Sequence, residues 1–247
     1  DKSQTYENLK NLEIEYDEDA YYGKNVMGVY SGGSDDKITV IRDDEKKGTI
    51  SHEIIHCIYA DNYYYKNPKF FNEGMTELLT NEYFAEEPFR EEVSYPYEIT
   101  MVKLLCEVVG ADKVLEAYSI EDMGMLEKAL VEKTKISNPI ELLDNMENVS
   151  NCLDEEKEID EETLNNVLYF FSNYCENNIN PESEKYALMT YYIDVLRLLK
   201  DKHPIVEYQY HIMTKGYFIK PYFSEKLKEK YPDIKHAGYW EHIEGKS

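Results

Sequence analysis

The sequence predicts an α+β fold, with a small mixed β-sheet over a single helix followed by a mostly α-helical lobe. Three observations predict it. Alternating apolar residues and a Gly-rich reversal are confined to residues 1–48, helix-period apolar spacing starts near residue 50, and that spacing then persists almost to the end of the chain. The division expected is an α+β subdomain over 1–85 and a mostly helical subdomain over 86–247 that closes a cleft against it, although no linker marks the boundary.

The elements follow in order. Leu12, Ile14 and Tyr16 alternate with polar residues, which is the pattern of a short half-buried strand. Residues 25–42 read as a hairpin. One arm is Asn25 to Tyr30, the turn is Ser31-Gly32-Gly33-Ser34-Asp35-Asp36, and the other arm is Lys37 to Arg42. Its β-branched residues favour strand, and its glycines permit the reversal. A helix is expected from Gly48 to about Tyr59 or Ala60, with Ile54, Cys57 and Ile58 as the stripe that anchors it. After a loop over 61–67, Pro68 suits the start of a second helix over 69–84. Beyond Pro88, Val102, Leu105, Cys106 and Val109 recur at helical spacing, and Gly110 is placed to end that helix. Leu164, Val167, Leu168 and Phe171 repeat the pattern, as do Leu188, Tyr191, Tyr192, Val195 and Leu199. Seven of the nine residues over 154–162 are acidic, and they read as an exposed loop or helix start, because they lack the alternating spacing and glycine of a calcium loop.

Charge removes whole classes of function. With 27 Lys+Arg against 50 Asp+Glu the formal charge is −23, so the chain as a whole repels phosphate backbones and anionic membrane surfaces. No nucleic-acid partner is expected. The longest unbroken apolar run, Val167 to Phe171, is too short to span a bilayer. An apolar content of 42% with 24 tyrosines is ample for a packed core. Cys57, Cys106, Cys152 and Cys175 are too few and too scattered for a disulfide scaffold or a paired-cysteine metal site, and are expected as buried free thiols, with a single disulfide as the alternative. The acidic, cysteine-poor composition suits an extracellular or surface-tethered bacterial protein.

The chemistry lies in His52-Glu53-Ile54-Ile55-His56. Histidines four apart share a helical face, and both imidazoles can reach one Zn²⁺ at about 2.0–2.1 Å. Glu53 then stands beside the first ligand, where it can take a proton from a zinc-activated water. A catalytic zinc needs a third protein ligand and an open position. Asn72-Glu73-Gly74-Met75-Thr76-Glu77, on the second helix, provides Glu73 as that ligand. Glu77 lies one turn further on, placed to hold the outer nitrogen of a ligand histidine.

These residues resemble the gluzincins, the zinc peptidases that include thermolysin and aminopeptidase N. His52, Glu53, His56 and Glu73 match the family's order of ligand, base, ligand, ligand. Glu77 matches its outer acid, with Glu where thermolysin-like members have Asp, and Phe71 to Met75 resembles the aminopeptidase version. The interval between the two motifs is shorter than in either subfamily. The resemblance covers residues 25–85 and implies a zincin-like fold, one zinc per chain, a peptide or protein substrate, and an edge strand near Asn25 to Tyr30 on which an extended peptide could lie. It also implies a hydrogen-bond donor for the oxyanion. Tyr64, between Tyr63 and Tyr65, is the first choice by loop position, and Tyr210 and His211 are the second. His203, His236 and His242 have no partner at ligand spacing. The expected function is a zinc metallopeptidase. The alternative is an inactive peptidase-like protein that binds zinc and captures peptides or a protein partner.

Overall fold

The computed structural model of the chain describes residues 9–10, 12–17, 28–31, 37–41, 48–59, 67–84 and 95–201. The expected alternation becomes three strands, β1 (Glu13–Tyr16), β2 (Gly28–Ser31) and β3 (Lys37–Val40). They lie in the order β1-β3-β2. β3 is central and carries the β-branched run Ile38-Thr39-Val40, all buried. It pairs parallel with β1 (Ile14 opposite Ile38, Tyr16 opposite Val40) and antiparallel with β2 (Tyr30 opposite Ile38). The sheet is therefore mixed, and among the described residues β2 forms one edge. Asn25 to Met27 and the turn residues 32–36 lie outside the described residues.

Helix α1 (Thr49–Tyr59) lies between two apolar clusters. Cys57 joins Tyr30, Ile38 and Val40 under the sheet, with Ile54 packed against them. Ile55 belongs to the larger core on the other side, and Ile58 packs there. The single stripe expected of Ile54, Cys57 and Ile58 is thus divided, because α1 is covered on two sides rather than one. The close approach of α1 to β2 depends on Gly28. A Cβ at that position would stand 2.4 Å from Thr49 Cγ2 and 3.4 Å from Glu53 Cγ.

The second expected helix is α2 (Lys69–Tyr83), entered through Pro68 at φ −53°. No side chain of its own caps it. Instead the Phe70 N–H donates to Glu147 Oε2 at 2.9 Å, a carboxylate brought from far along the chain. Next come α3 (Pro96–Val109), α4 (Ala111–Ser119) and α5 (Met123–Thr134). They are followed by α6 (Pro139–Asp154), α7 (Glu161–Asn178) and α8 (Glu184–Asp201). Gly110 ends α3 at φ 100°, as its position predicts. The Asp122 side chain caps α5, Asn138 caps α6 and Asp160 caps α7. The acidic stretch over 154–162 is accordingly a helix end, a short connection and a helix start, mostly exposed.

The periodic residues of α3, α7 and α8 meet in one core that α1 and α2 also enter through Ile55, Phe70, Phe71 and Met75. α2 packs most extensively on α3. Gly74 makes this possible, since a Cβ there would sit 2.6 Å from the Glu98 carbonyl oxygen and 2.9 Å from Val102 Cγ2. The glycine in the Asn-Glu-Gly sequence is therefore a packing requirement that sets where Glu73 stands. Among the described residues no helix is long and apolar enough to cross a membrane. All four cysteines are free thiols, with Cys57 and Cys175 buried as expected and Cys106 and Cys152 only half-buried.

Candidate metal centre

α1 and α2 cross so that three ligand atoms converge. His52 Nε2 and His56 Nε2 are 3.1 Å apart. Glu73 Oε2 stands 3.2 Å from the first and 3.5 Å from the second. Tetrahedral bonds of about 2.0–2.1 Å would put ligand atoms about 3.3 Å apart, so the spacing of these three atoms fits three ligands of one zinc ion. The imidazole planes are inclined by 76°, which lets both aim at one point from the same helix face. Both histidines are buried, at 7% and 4% exposure, in a site whose polar groups are nevertheless paired. Among the described residues this is the cluster of His, Cys, Asp and Glu side chains that could hold a metal ion.

The outer nitrogens are held as well. Glu77, fully buried, lies 2.9 Å from His52 Nδ1 through Oε2. Its backbone carbonyl accepts from Asn81 Nδ2 at 2.9 Å. With a metal bound, Nδ1–H donating to that carboxylate would leave the lone pair of Nε2 to face the ion. His56 Nδ1 lies 3.2 Å from Thr76 Oγ1, which is itself 2.6 Å from the Tyr118 hydroxyl. Residues 73, 76 and 77 share one face of α2, being three and four apart. That face supplies one ligand and a holder for each of the other two.

The electrostatics suit a cation. Burial lowers the His52 pKa, but hydrogen bonds and charge from Glu73 and Glu77 outweigh it and lift the ring up to about 10. Burial raises the Glu73 pKa, and the charge of His56 together with the contacts of His52 reverses this, holding the carboxyl far below the usual carboxylate range. Both shifts have one origin, a pocket that stabilises positive charge between these groups.

Glu53 is buried beside the cluster. Its Oε2 accepts a hydrogen bond of 2.8 Å from the Tyr30 backbone N–H on edge strand β2. Tyr95, just before α3, is the residue that the sequence reading missed. Its ring stacks on His52 with centroids 5.6 Å apart and planes 26° from parallel. Its backbone is left-handed, φ 53° and ψ 48°, a strained conformation for a side chain of this size. The charge of Glu73, then burial, then the charge of Glu53 push its hydroxyl well above the usual phenol range, so it stays protonated. No spacing relation links Tyr95 to the motif, and its bond to Pro96 signals only a helix start. Tyr118 lies on α4 with no spacing relation to the motif either, whereas Thr76 shares the motif's helical face but, as a hydroxyl that does not titrate, carries no mark of a role.

The four residues expected at the centre, His52, His56, Glu73 and Glu77, are brought together, with Glu53 alongside. Tyr64 and its neighbours, Tyr210, His211, His203, His236 and His242 lie outside the described residues. Searches against known protein families, characterised proteins and solved structures find no match to this chain. The resemblance to a known family therefore rests on the residues of the site. The cluster matches the HExxH-plus-Glu motif of the gluzincin zinc metallopeptidases, with the three ligand atoms close enough to hold one metal ion.

Proposed function

We propose that the chain is a zinc-dependent peptidase that cleaves an extended peptide lying along β2. The observation that carries this reading is the convergence of His52 Nε2, His56 Nε2 and Glu73 Oε2 at tetrahedral spacing. Zinc bound there supplies a Lewis acid for the scissile carbonyl and lowers the pKa of a coordinated water toward 7.

The chain's own groups do the rest. Glu53 takes a proton from the attacking water and delivers it to the departing amine. The Tyr30 amide fixes one oxygen of Glu53 and thereby aims the other. Tyr95 donates its hydroxyl proton in a hydrogen bond to the developing oxyanion, in the role first sought at Tyr64. Its ring is held against ligand His52 by stacking, which places the side chain at the edge of the cluster. Apart from the Tyr30 N–H that Glu53 engages, edge strand β2 would offer its outward backbone groups for pairing with substrate, as strand addition requires.

A second reading has one observation in its favour. Glu53 is already engaged by the Tyr30 amide, which also suits a peptide-capturing protein without turnover. Cleavage-site profiling of a peptide mixture with wild type and Glu53→Gln in parallel separates the two. Cleavage by wild type alone supports the peptidase. Equal inertness with retained peptide binding supports capture.

A further inference from the structure

The two ligand histidines are held by different chemistry. His52 leans on a buried carboxylate, whereas His56 leans on a hydroxyl that is tied to a second hydroxyl. We propose that Tyr118, acting through Thr76, is a positioning residue that sets the orientation of His56 and with it the zinc affinity of the site. This rests on the zinc-centre reading above.

The geometry supports a built relay. Thr76 is fully buried and Tyr118 is 2% exposed, so neither hydroxyl has bulk water to fall back on. A buried hydroxyl without a partner is costly, which makes the 2.6 Å contact between them obligatory rather than incidental. With Nε2 turned to the metal, His56 Nδ1 carries the proton and donates to Thr76 Oγ1. Thr76 Oγ1 has a second lone pair and one proton left, enough to complete the bond with Tyr118 in either direction.

The far end of the relay is anchored. The Tyr118 ring meets Phe71 edge-on with centroids 6.1 Å apart, and packs against Tyr59 at 5.3 Å. Its backbone carbonyl accepts from Asn67 Nδ2 at 3.4 Å. Seating α4 therefore fixes the hydroxyl that fixes Thr76, and the helical lobe completes the metal centre rather than merely covering it. A hydroxyl at this place also avoids adding another negative charge to a site that already holds the buried Glu53 and Glu77 and the half-buried Glu73.

The test is a zinc competition titration against a chromophoric chelator for wild type, Tyr118→Phe, Thr76→Ser, Thr76→Val and the Tyr118→Phe/Thr76→Val double variant. Melting temperatures of all five in excess chelator are measured in parallel. Thr76→Val is expected to weaken zinc binding by about 10–100-fold, Tyr118→Phe by a smaller factor, and Thr76→Ser hardly at all. The double variant should bind as Thr76→Val does, because the relay is already cut. Tyr118→Phe binding zinc like wild type would overturn the proposal, and so would losses that simply multiply. Affinity losses that merely track melting temperatures in chelator would also overturn it, since they would mark a structural role. Wild type that takes up no zinc would instead remove the metal-centre reading itself, and the proposal with it.

Discussion

The Glu53 carboxylate and the Tyr30 backbone amide, 23 residues apart, are joined by a 2.8 Å hydrogen bond across the gap between α1 and the sheet edge. The group proposed to move protons is thus pinned to the strand proposed to hold the substrate. Gly28 permits that contact by letting α1 approach β2 closely. Replacing Glu53 by Gln keeps its size, and the amide oxygen can still accept from Tyr30. The variant should keep its zinc and lose about 10²–10⁴-fold in kcat. Metal analysis and peptide hydrolysis on the same preparation check this. Loss of metal together with activity would show that Glu53 acts structurally.

Glu77→Ala should weaken zinc affinity by about 10–100-fold, because the His52 ring loses the partner that fixes its tautomer. Chelator competition measures it. An unchanged affinity would mean that Glu77 does not orient His52.

Tyr95→Phe tests the oxyanion donor. The ring and its stacking on His52 survive, and only the hydroxyl is removed. The expectation is a fall of about 10²–10³-fold in kcat with KM and zinc content nearly unchanged. A change confined to KM would place Tyr95 in substrate binding instead.

Gly74→Ala should destabilise the fold by about 1–3 kcal/mol, since the added methyl meets the α3 backbone at Glu98. Denaturant unfolding in chelator reads the stability. Zinc affinity should fall too, because the forced shift of α2 displaces Glu73. Unaltered stability would show that α2 and α3 do not pack this closely.

Glu98 predicts a pH dependence. Burial raises its pKa from 4.5 up to about 7, opposed by a hydrogen bond from Ser150. A carboxyl whose folded pKa is raised contributes stability that is fully present below about 4.5 and is lost as pH rises through about 7. The contribution lost is on the order of 3 kcal/mol. Glu98→Gln should remove that decline. Denaturation midpoints of both proteins between pH 4.5 and pH 8 test it, and parallel curves would contradict it.

Much of this was legible in the sequence, for reasons that particular residues make plain. His52, Glu53 and His56 are read from helical spacing alone, and Glu73 with Glu77 follow because a catalytic zinc needs a third ligand and a held imidazole. The helical lobe follows from sustained periodicity, as in Leu164 to Phe171. Strand order was not legible, because the parallel pairing of β1 with β3 depends on a long-range choice that local patterns do not encode. The division of apolar residues on α1 between two clusters was hidden for the same reason. Tyr95 and Tyr118 reach the site through tertiary packing, and among 24 tyrosines neither carries a local mark of its role, whereas Thr76 shares a helical face with Glu73 and lacked only a titrating group to mark it.

The most direct test of the metal centre is zinc stoichiometry by elemental analysis after equilibration with excess Zn²⁺ and gel filtration, for wild type and Glu73→Ala. The account predicts about one zinc per wild-type chain and a marked loss in Glu73→Ala, because a carboxylate leaves the three-ligand set. Wild type that emerges without zinc, or Glu73→Ala that retains it in full with undiminished affinity, would contradict it.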